Sequence, residues 1–263
     1  MSIEQKGARV IAHAHSTWSY DGKLTLDEWR DLARSRGVDV VLFAEHEETG
    51  WTSERYDEYV AQCARASAHD VRLVPGIEFN QDGFHVLSFG LRTWPSRPSS
   101  ARELATAVHR QGCILCLAHP TRYGWSYPES LLGAADAVEV WNSNWVCEGM
   151  LGPHPRSLEL ARGKAMLVGQ DVHKPKHLSS LFVRTDSQDV LADIYAGRYH
   201  FERGTRSWAP GELHGLRLAG GLQAYRTWLV RSALRAYRST RRAARRVLRR
   251  GNAPPDKARN SST

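Results

Sequence analysis

The chain has 263 residues, 41% of them hydrophobic and 24% charged, which suits a globular protein with a full core and excludes a disordered or fibrous chain. No apolar run approaches the roughly 18 residues that a membrane-spanning helix needs, and polar Met1–Lys6 is unlike a secretory leader, so the expectation is a cytoplasmic protein. The net charge of +8 is uneven: from Arg203 onward there are 15 Lys+Arg and 2 Asp+Glu, whereas residues 1–202 carry 21 and 26, a mildly acidic body before a strongly basic tail.

Strand and helix signals alternate along the body. Arg9–Ala14 (RVIAHA) reads as a strand. Leu24–Arg36 reads as a helix, with Thr25 as N-cap and Glu28 at the capping-box spacing. Leu26, Trp29, Leu32 and Ala33 give it an apolar stripe at helical period, and Gly37 closes it. Val38–Ala44 is a near-continuous apolar run, the mark of a strand buried on both faces. Ser53–Ser67 is helical; Val71–Ile77 and Phe84–Phe89 are strands, the latter entered through a turn at Gln81, Asp82 and Gly83. Ala101–Gln111 is a helix ended by Gly112, and Cys113–Ala118 and Ala137–Trp141 are strands. Ser157–Arg162 (helix), Ala165–Val168 and Leu181–Val183 (strands) and Val190–Ala196 (helix) complete the series. This is the pattern of an α/β fold.

The tail differs. Residues 205–222 are Gly-rich and read as a linker or wrap, 223–250 as a basic amphipathic helix, and 251–263 as a disordered tail. Leu222, Tyr225, Leu229, Ala233, Tyr237, Ala244 and Leu248 mark the stripe of that helix, among ten arginines and no acid. Three readings are open: it lies on an anionic membrane surface, it binds nucleic acid phosphates, or it docks on the body. Of the four cysteines, Cys63, Cys113, Cys116 and Cys147, the CxxC pair Cys113 and Cys116 sits in an apolar strand where residues three apart face opposite ways. Both read as small buried hydrophobes.

Residues able to bind metal follow at least six separate strands. His13 and His15 end the first strand, two apart and so on one face. Asp21 lies in SYDG, His46 in AEHEE, Glu78 in PGIEFN, His85 in GFHVLSFG, His119 in CLAHP, and Asp171 and His173 in GQDVH. Imidazoles mixed with carboxylates suit Zn, Mn or Fe rather than a thiolate-bound structural zinc, and such sites activate water for hydrolysis. Strand ends converge on one face in a closed barrel but spread along a line in an open sheet, which favours a barrel.

Other residues have two readings each. Glu45, Glu47 and Glu48 flank His46 as supporting or solvated carboxylates. Arg122, three positions after His119, either grips a phosphate or pairs with a loop acid; Lys174 and Lys176 could also face phosphate. Trp125, Trp141 and Trp145 stack on a base or sugar, or pack loops, and Asn142 lines the pocket floor. His69, His109, His154, His177, His200 and His214 read as surface or packing residues.

These motifs resemble those of the polymerase and histidinol phosphatase (PHP) superfamily. HAHSTWSYDG is similar to its first motif, AEHE to its second, PGIEFN with GFHVLSFG to its third region, and AHP and GQDVH to the last two. Gln170 and Val172 depart from the usual Ser and Ala, away from the liganding positions. The resemblance covers residues 9–204 and implies a domain over 1–204: a distorted seven-stranded (β/α) barrel holding three divalent metals, Mn, Zn or Fe. It implies His13, His15, Glu78 and Asp171 at the first metal. Glu78, His85 and His119 would hold the second, with Glu78 bridging, and Asp21, His46 and His173 the third. It further implies a metal-dependent phosphoesterase in which a metal-bridging hydroxide attacks a small phosphomonoester or a nucleotide-type phosphoester. Glu78, Asp171, His173 and Arg122 would then be the catalytic residues. The alternatives are an exonuclease or nucleotide phosphatase guided by the basic tail, hydrolysis of a non-phosphate ester, and a membrane- or nucleic-acid-binding protein with a non-catalytic barrel. The complete ligand set argues against the last.

Overall fold

The computed structural model describes residues 7–95, 98–144 and 152–215. All belong to a unit spanning Met1–Arg217; the expected basic helix over 223–250, the tail 251–263, Trp145 and Cys147 lie outside the described residues. The strands are β1 (Arg9–Ala14), β2 (Val40–Phe43), β3 (Glu45–His46), β4 (Arg72–Val74), β5 (Gly76–Gln81), β6 (Phe84–Phe89), β7 (Ile114–Leu117), β8 (Ala137–Asn142), β9 (Ala165–Gly169), β10 (Leu181–Thr185), β11 (Tyr199–Arg203) and β12 (Arg206–Trp208). The helices are α1 (Leu26–Ser35), α2 (Ser53–Ala66), α3 (Ala101–His109), α4 (Glu129–Ala134), α5 (Pro155–Leu160) and α6 (Val190–Tyr195).

The fold is α/β, but the seven-stranded count is not matched. The described strands form two six-stranded mixed sheets, ordered β12-β11-β10-β1-β2-β4 and β3-β5-β6-β7-β8-β9. One expected strand is cut in two and another is shortened. The run Val71–Ile77 breaks at Pro75, which has no N–H to give a ladder, so β4 pairs with β2 in one sheet and β5 with β3 and β6 in the other. The run Val38–Ala44 stops at Phe43, and the chain re-enters the second sheet as β3. Antiparallel β10, β11 and β12 then widen the first sheet beyond β1. Within 205–222, Arg206–Trp208 pair with β11 and Pro210–Gly215 form a 3-10 turn.

Gly76 marks one crossing between sheets. A Cβ there would lie 2.2 Å from the Phe43 carbonyl oxygen and 2.4 Å from that of Ser88, both backbone atoms. Only glycine lets the chain pass between them. Gly76→Ala is expected to cost about 3 kcal/mol or more; an unchanged urea midpoint would show that the two neighbouring strands can part.

Local signals act as their chemistry dictates. The Thr25 hydroxyl accepts from the Glu28 N–H at 3.2 Å, and the Glu28 carboxylate accepts from the Thr25 N–H at 2.8 Å, closing the capping box of α1. Leu26, Trp29 and Ala33 bury its apolar face, and every residue of β2 and β7 is buried. Asp82 and Gly83 adopt positive φ in the β5–β6 turn. Cys63, Cys113 and Cys116 are buried free thiols; burial pushes the Cys113 thiol up to about 11, which suppresses thiolate chemistry near neutral pH. Among the described residues, no helix is long and apolar enough to cross a membrane.

Candidate metal centre

The centre forms where strands end and the backbone bends. The β1–β2 register shifts between Ala12 and Ala14, and His13 at that bulge has φ +62°. His119, after β7, has φ +29°, and Asp171, after β9, has φ +49°. Non-glycine residues pay about 1–3 kcal/mol for such conformations, which persist where surrounding structure enforces them. The chain past β9 is tied to β1: Val172 donates its N–H to the His13 carbonyl at 3.1 Å and accepts that of His15 at 2.9 Å. His13 and His15 therefore reach one place through a bulge, not through simple strand alternation.

All nine residues singled out for ligation lie together around Glu78. Its Oε1 is 2.5 Å from His85 Nδ1 and 2.9 Å from His119 Nε2, and its Oε2 is 2.9 Å from His46 Nδ1. His13 Nε2 and His15 Nε2 each lie 3.7 Å from a Glu78 oxygen. Asp171 Oδ1 stands 3.5 Å from His13 Nε2, 3.4 Å from His15 Nε2 and 3.4 Å from His173 Nδ1. On the outer side, Asp21 places its two oxygens 3.3 Å from His46 Nε2 and 3.3 Å from His173 Nε2, with its side chain 41% exposed. Among the described residues, three sets have ligand atoms within 4.8 Å of one another: His13, His15 and Glu78; Glu78, His85 and His119; and His15, His46 and His173. Asp171, implied at the first metal, is not in the first set, and in the third His15 stands where Asp21 was implied.

Electrostatics prepare the centre for cations. Burial opposes charge on Glu78, yet the neighbouring imidazoles of His119, His13 and His46 hold its carboxyl well below the usual carboxylate range. Burial likewise opposes charge on Asp171, and His13 and His15 overcome it, lowering that carboxyl too. Burial dominates at His15 and lowers its imidazole to about 3. At His13 burial also pulls down, but Glu139 and Asp171 outweigh it and raise the ring well above its ordinary value. His13 Nε2 and His15 Nε2 are buried and make no hydrogen bond among the described residues. Convergent, unsatisfied imidazole nitrogens beside two ionised carboxylates fit divalent metals.

Other side chains hold the ligands in place. Trp29 Nε1 on α1 donates to the His15 carbonyl at 3.0 Å, and Trp51 Nε1 donates to that of His46 at 2.9 Å. Glu45 belongs to none of the ligand sets: it accepts from the Ser16 N–H and from the hydroxyls of Ser16 and Ser19, and Ser19 Oγ lies 3.2 Å from His15 Nδ1. Glu47 accepts from the Asn80 N–H, and Glu48 from Asn80 Nδ2. Glu139 was not singled out from sequence, yet it lies 2.8 Å from His13 Nδ1. Its signal was present: one acid inside the otherwise apolar AVEVW, which burial tolerates only with partners.

An open pocket of about 540 Å³ leads to the ligands, lined also by Tyr20, Glu48, Asn80, Gly83 and Arg122. Arg122 Nη1 is 3.3 Å from His85 Nδ1. Tyr20 is 68% exposed and stacks on His46 at 4.9 Å. Lys174, Lys176, Trp125, Trp141 and Asn142 do not line it. Trp125 stacks on His154 at 4.0 Å, Trp141 packs against Trp208, and Asn142 donates to Glu139.

No family model matches the chain, and no curated protein matches it. Among solved structures it is similar to a two-domain protein from Bacteroides vulgatus containing a predicted PHP-like metal-dependent phosphoesterase. The TM-score is 0.58 and the identity 17%, over 76% of this chain and 66% of that one. The chain thus spans just under two thirds of that protein's length. Weaker matches are a candidate metal-dependent phosphoesterase from Bifidobacterium adolescentis (TM-score 0.44, 18% identity, 63% of this chain and 89% of that) and an amidohydrolase from Chromobacterium violaceum with bound sulfate and no metal (TM-score 0.43, 15% identity, 64% and 88%). At these identities likeness speaks to fold, and the first match alone is close enough to carry it. The chain thus has a fold like that of a protein containing a predicted PHP-like phosphoesterase, and its His/Glu ligand sets lie within that fold.

Proposed function

We propose that the chain is a metal-dependent phosphoesterase acting on a small phosphomonoester or a nucleotide-type phosphoester. The observation that carries this reading is the clustering of three ligand sets around Glu78, at the floor of an open pocket that also presents Arg122. Divalent metals, read here as three of Mn, Zn or Fe, supply Lewis acidity and a water of lowered pKa when bound. The chain's own residues do the rest. Glu78, Asp171 and His173 act through ligation, and the two carboxylates keep the floor anionic enough to hold cations. Arg122, at the pocket wall, offers a guanidinium fork to phosphoryl oxygens. We read the two sheets as a distorted barrel: the Gln170 and Val172 N–H groups pair with β1 carbonyls, while β2–β3 and β4–β5 carry the chain from sheet to sheet. A cytoplasmic location, and an anionic membrane or nucleic acid partner for 223–250, belong to the same proposal.

The test is phosphate release from phosphomonoesters, nucleotides and short RNAs by metal-stripped protein with and without added Mn²⁺. Release that returns only with metal supports the reading; no release from any member by metal-loaded protein rejects it. On the substrate so found, Arg122→Ala is expected to raise KM roughly 10–100-fold, the loss of a charge-assisted hydrogen bond, with metal content unchanged. An unaltered KM would remove Arg122 from substrate binding.

A further inference from the structure

All six residues of β8 are buried, and one of them is an acid. Glu139 is 1% exposed and belongs to none of the three ligand sets. Its carboxylate accepts three hydrogen bonds. Oε1 takes one from His13 Nδ1 at 2.8 Å; Oε2 takes one from the His119 backbone N–H at 2.7 Å and one from Asn142 Nδ2 at 2.9 Å. Space for it is made on the neighbouring strand, where a Cβ on Gly169 would lie 1.5 Å from Oε1. A buried carboxylate with that many donors and a cavity shaped for it is a structural commitment, and two of its three donors belong to ligand residues.

We infer that Glu139 is the positioning residue for two ligand sets at once, fixing the proton of His13 on Nδ1 and holding the backbone that presents His119. The inference rests on the metal-centre reading. A carboxylate only accepts, so the imidazole must donate from Nδ1 and keep the lone pair on Nε2. That Nε2 is the atom that faces Glu78 and Asp171. Through Oε2 the same side chain holds His119 in its positive-φ conformation, and so reaches the Glu78, His85 and His119 set.

The donor pattern makes Glu139→Gln a selective probe. Both groups on Oε2 are N–H donors, and the Asn142 amide is oriented by the Asn144 N–H, which it accepts at 3.0 Å. The glutamine oxygen must therefore stay at the Oε2 position, and its NH₂ must face His13 Nδ1. An NH₂ donates, so Nδ1 has to accept and the imidazole proton moves to Nε2, where it blocks ligation. The hold on His119 survives. One isosteric change thus disables the His13 set and spares the other.

The experiment is equilibrium dialysis of the full-length protein against Zn²⁺, with bound metal counted by mass spectrometry. Glu139→Gln is expected to weaken one metal equivalent roughly 10–100-fold and leave the rest, with an unchanged circular dichroism spectrum. His13→Ala should show the same deficit, and the double variant no more. Glu139→Ala, which also frees the His119 backbone, should weaken a second equivalent. Wild-type stoichiometry and affinity in Glu139→Gln overturn the inference while leaving the metal centre standing; a wild type that binds no Zn²⁺ overturns the metal-centre reading itself. Independent of any variant, nitrogen NMR of the zinc-loaded wild type should show His13 protonated at Nδ1, and a proton on Nε2 would refute the assignment.

Discussion

Glu78→Gln is expected to cut metal-dependent turnover on the order of 10³-fold or more while leaving the fold intact. Glu78 is shared by two ligand sets, and its oxygens lie within 3.7 Å of imidazole nitrogens from His13, His15, His46, His85 and His119. The substitution removes the anion that balances cations at the floor and turns an NH₂ toward nitrogens that must present lone pairs. The steric change is small, so the spectrum of the folded protein should persist. Metal content measured beside kcat/KM separates the causes: both should fall together. A variant with full turnover and full metal would end the case for Glu78 as the shared ligand.

Stripping the metals should lower Tm by about 8–16 °C for each metal held at roughly 1,000 times its Kd. Such a ligand contributes about 4 kcal/mol to the folded state, and 1 kcal/mol corresponds to about 2–4 °C in a unit of this size. The effect must depend on pH, and His13 fixes its sign. Its pKa is raised in the metal-free fold, so its contribution is fully present below about 6.5 and is lost as pH rises through the raised value. A metal on Nε2 displaces that proton, so acid weakens binding where it strengthens the metal-free protein. The gap in Tm between loaded and stripped protein should narrow from pH 8 to pH 5.5. Calorimetry of both forms at the two values decides it; a gap that stays constant or widens would mean that His13 is not a ligand.

Much of the centre could be read from the chain because ligand chemistry is local. HAH, AEHE, PGIEFN, AHP and GQDVH each place a donor where an apolar run ends, and strand ends are where such donors collect. The capping box of α1 was equally plain, since it needs only Thr25 and Glu28. What could not be read depends on partners far along the chain. Pro75 was visible as a residue, but that it sends the two halves of one apolar run to different sheets is decided by β2 and β6. His13 and His15 were paired by strand alternation, whereas a bulge at φ +62° brings them together. Trp141 and Asn142 sit close to the site in sequence and serve Trp208 and Glu139 instead.

The division of the strands between two sheets bears on the order of assembly. His85 and His119 follow or lie in strands of the same sheet as Glu78, so a chain with only that sheet formed already has one ligand set complete. The set of His13, His15 and Glu78 draws on both sheets and closes only when β1 docks. One ligand set therefore needs a single sheet and its neighbour needs both, so occupancy of the second would report that β1 has docked.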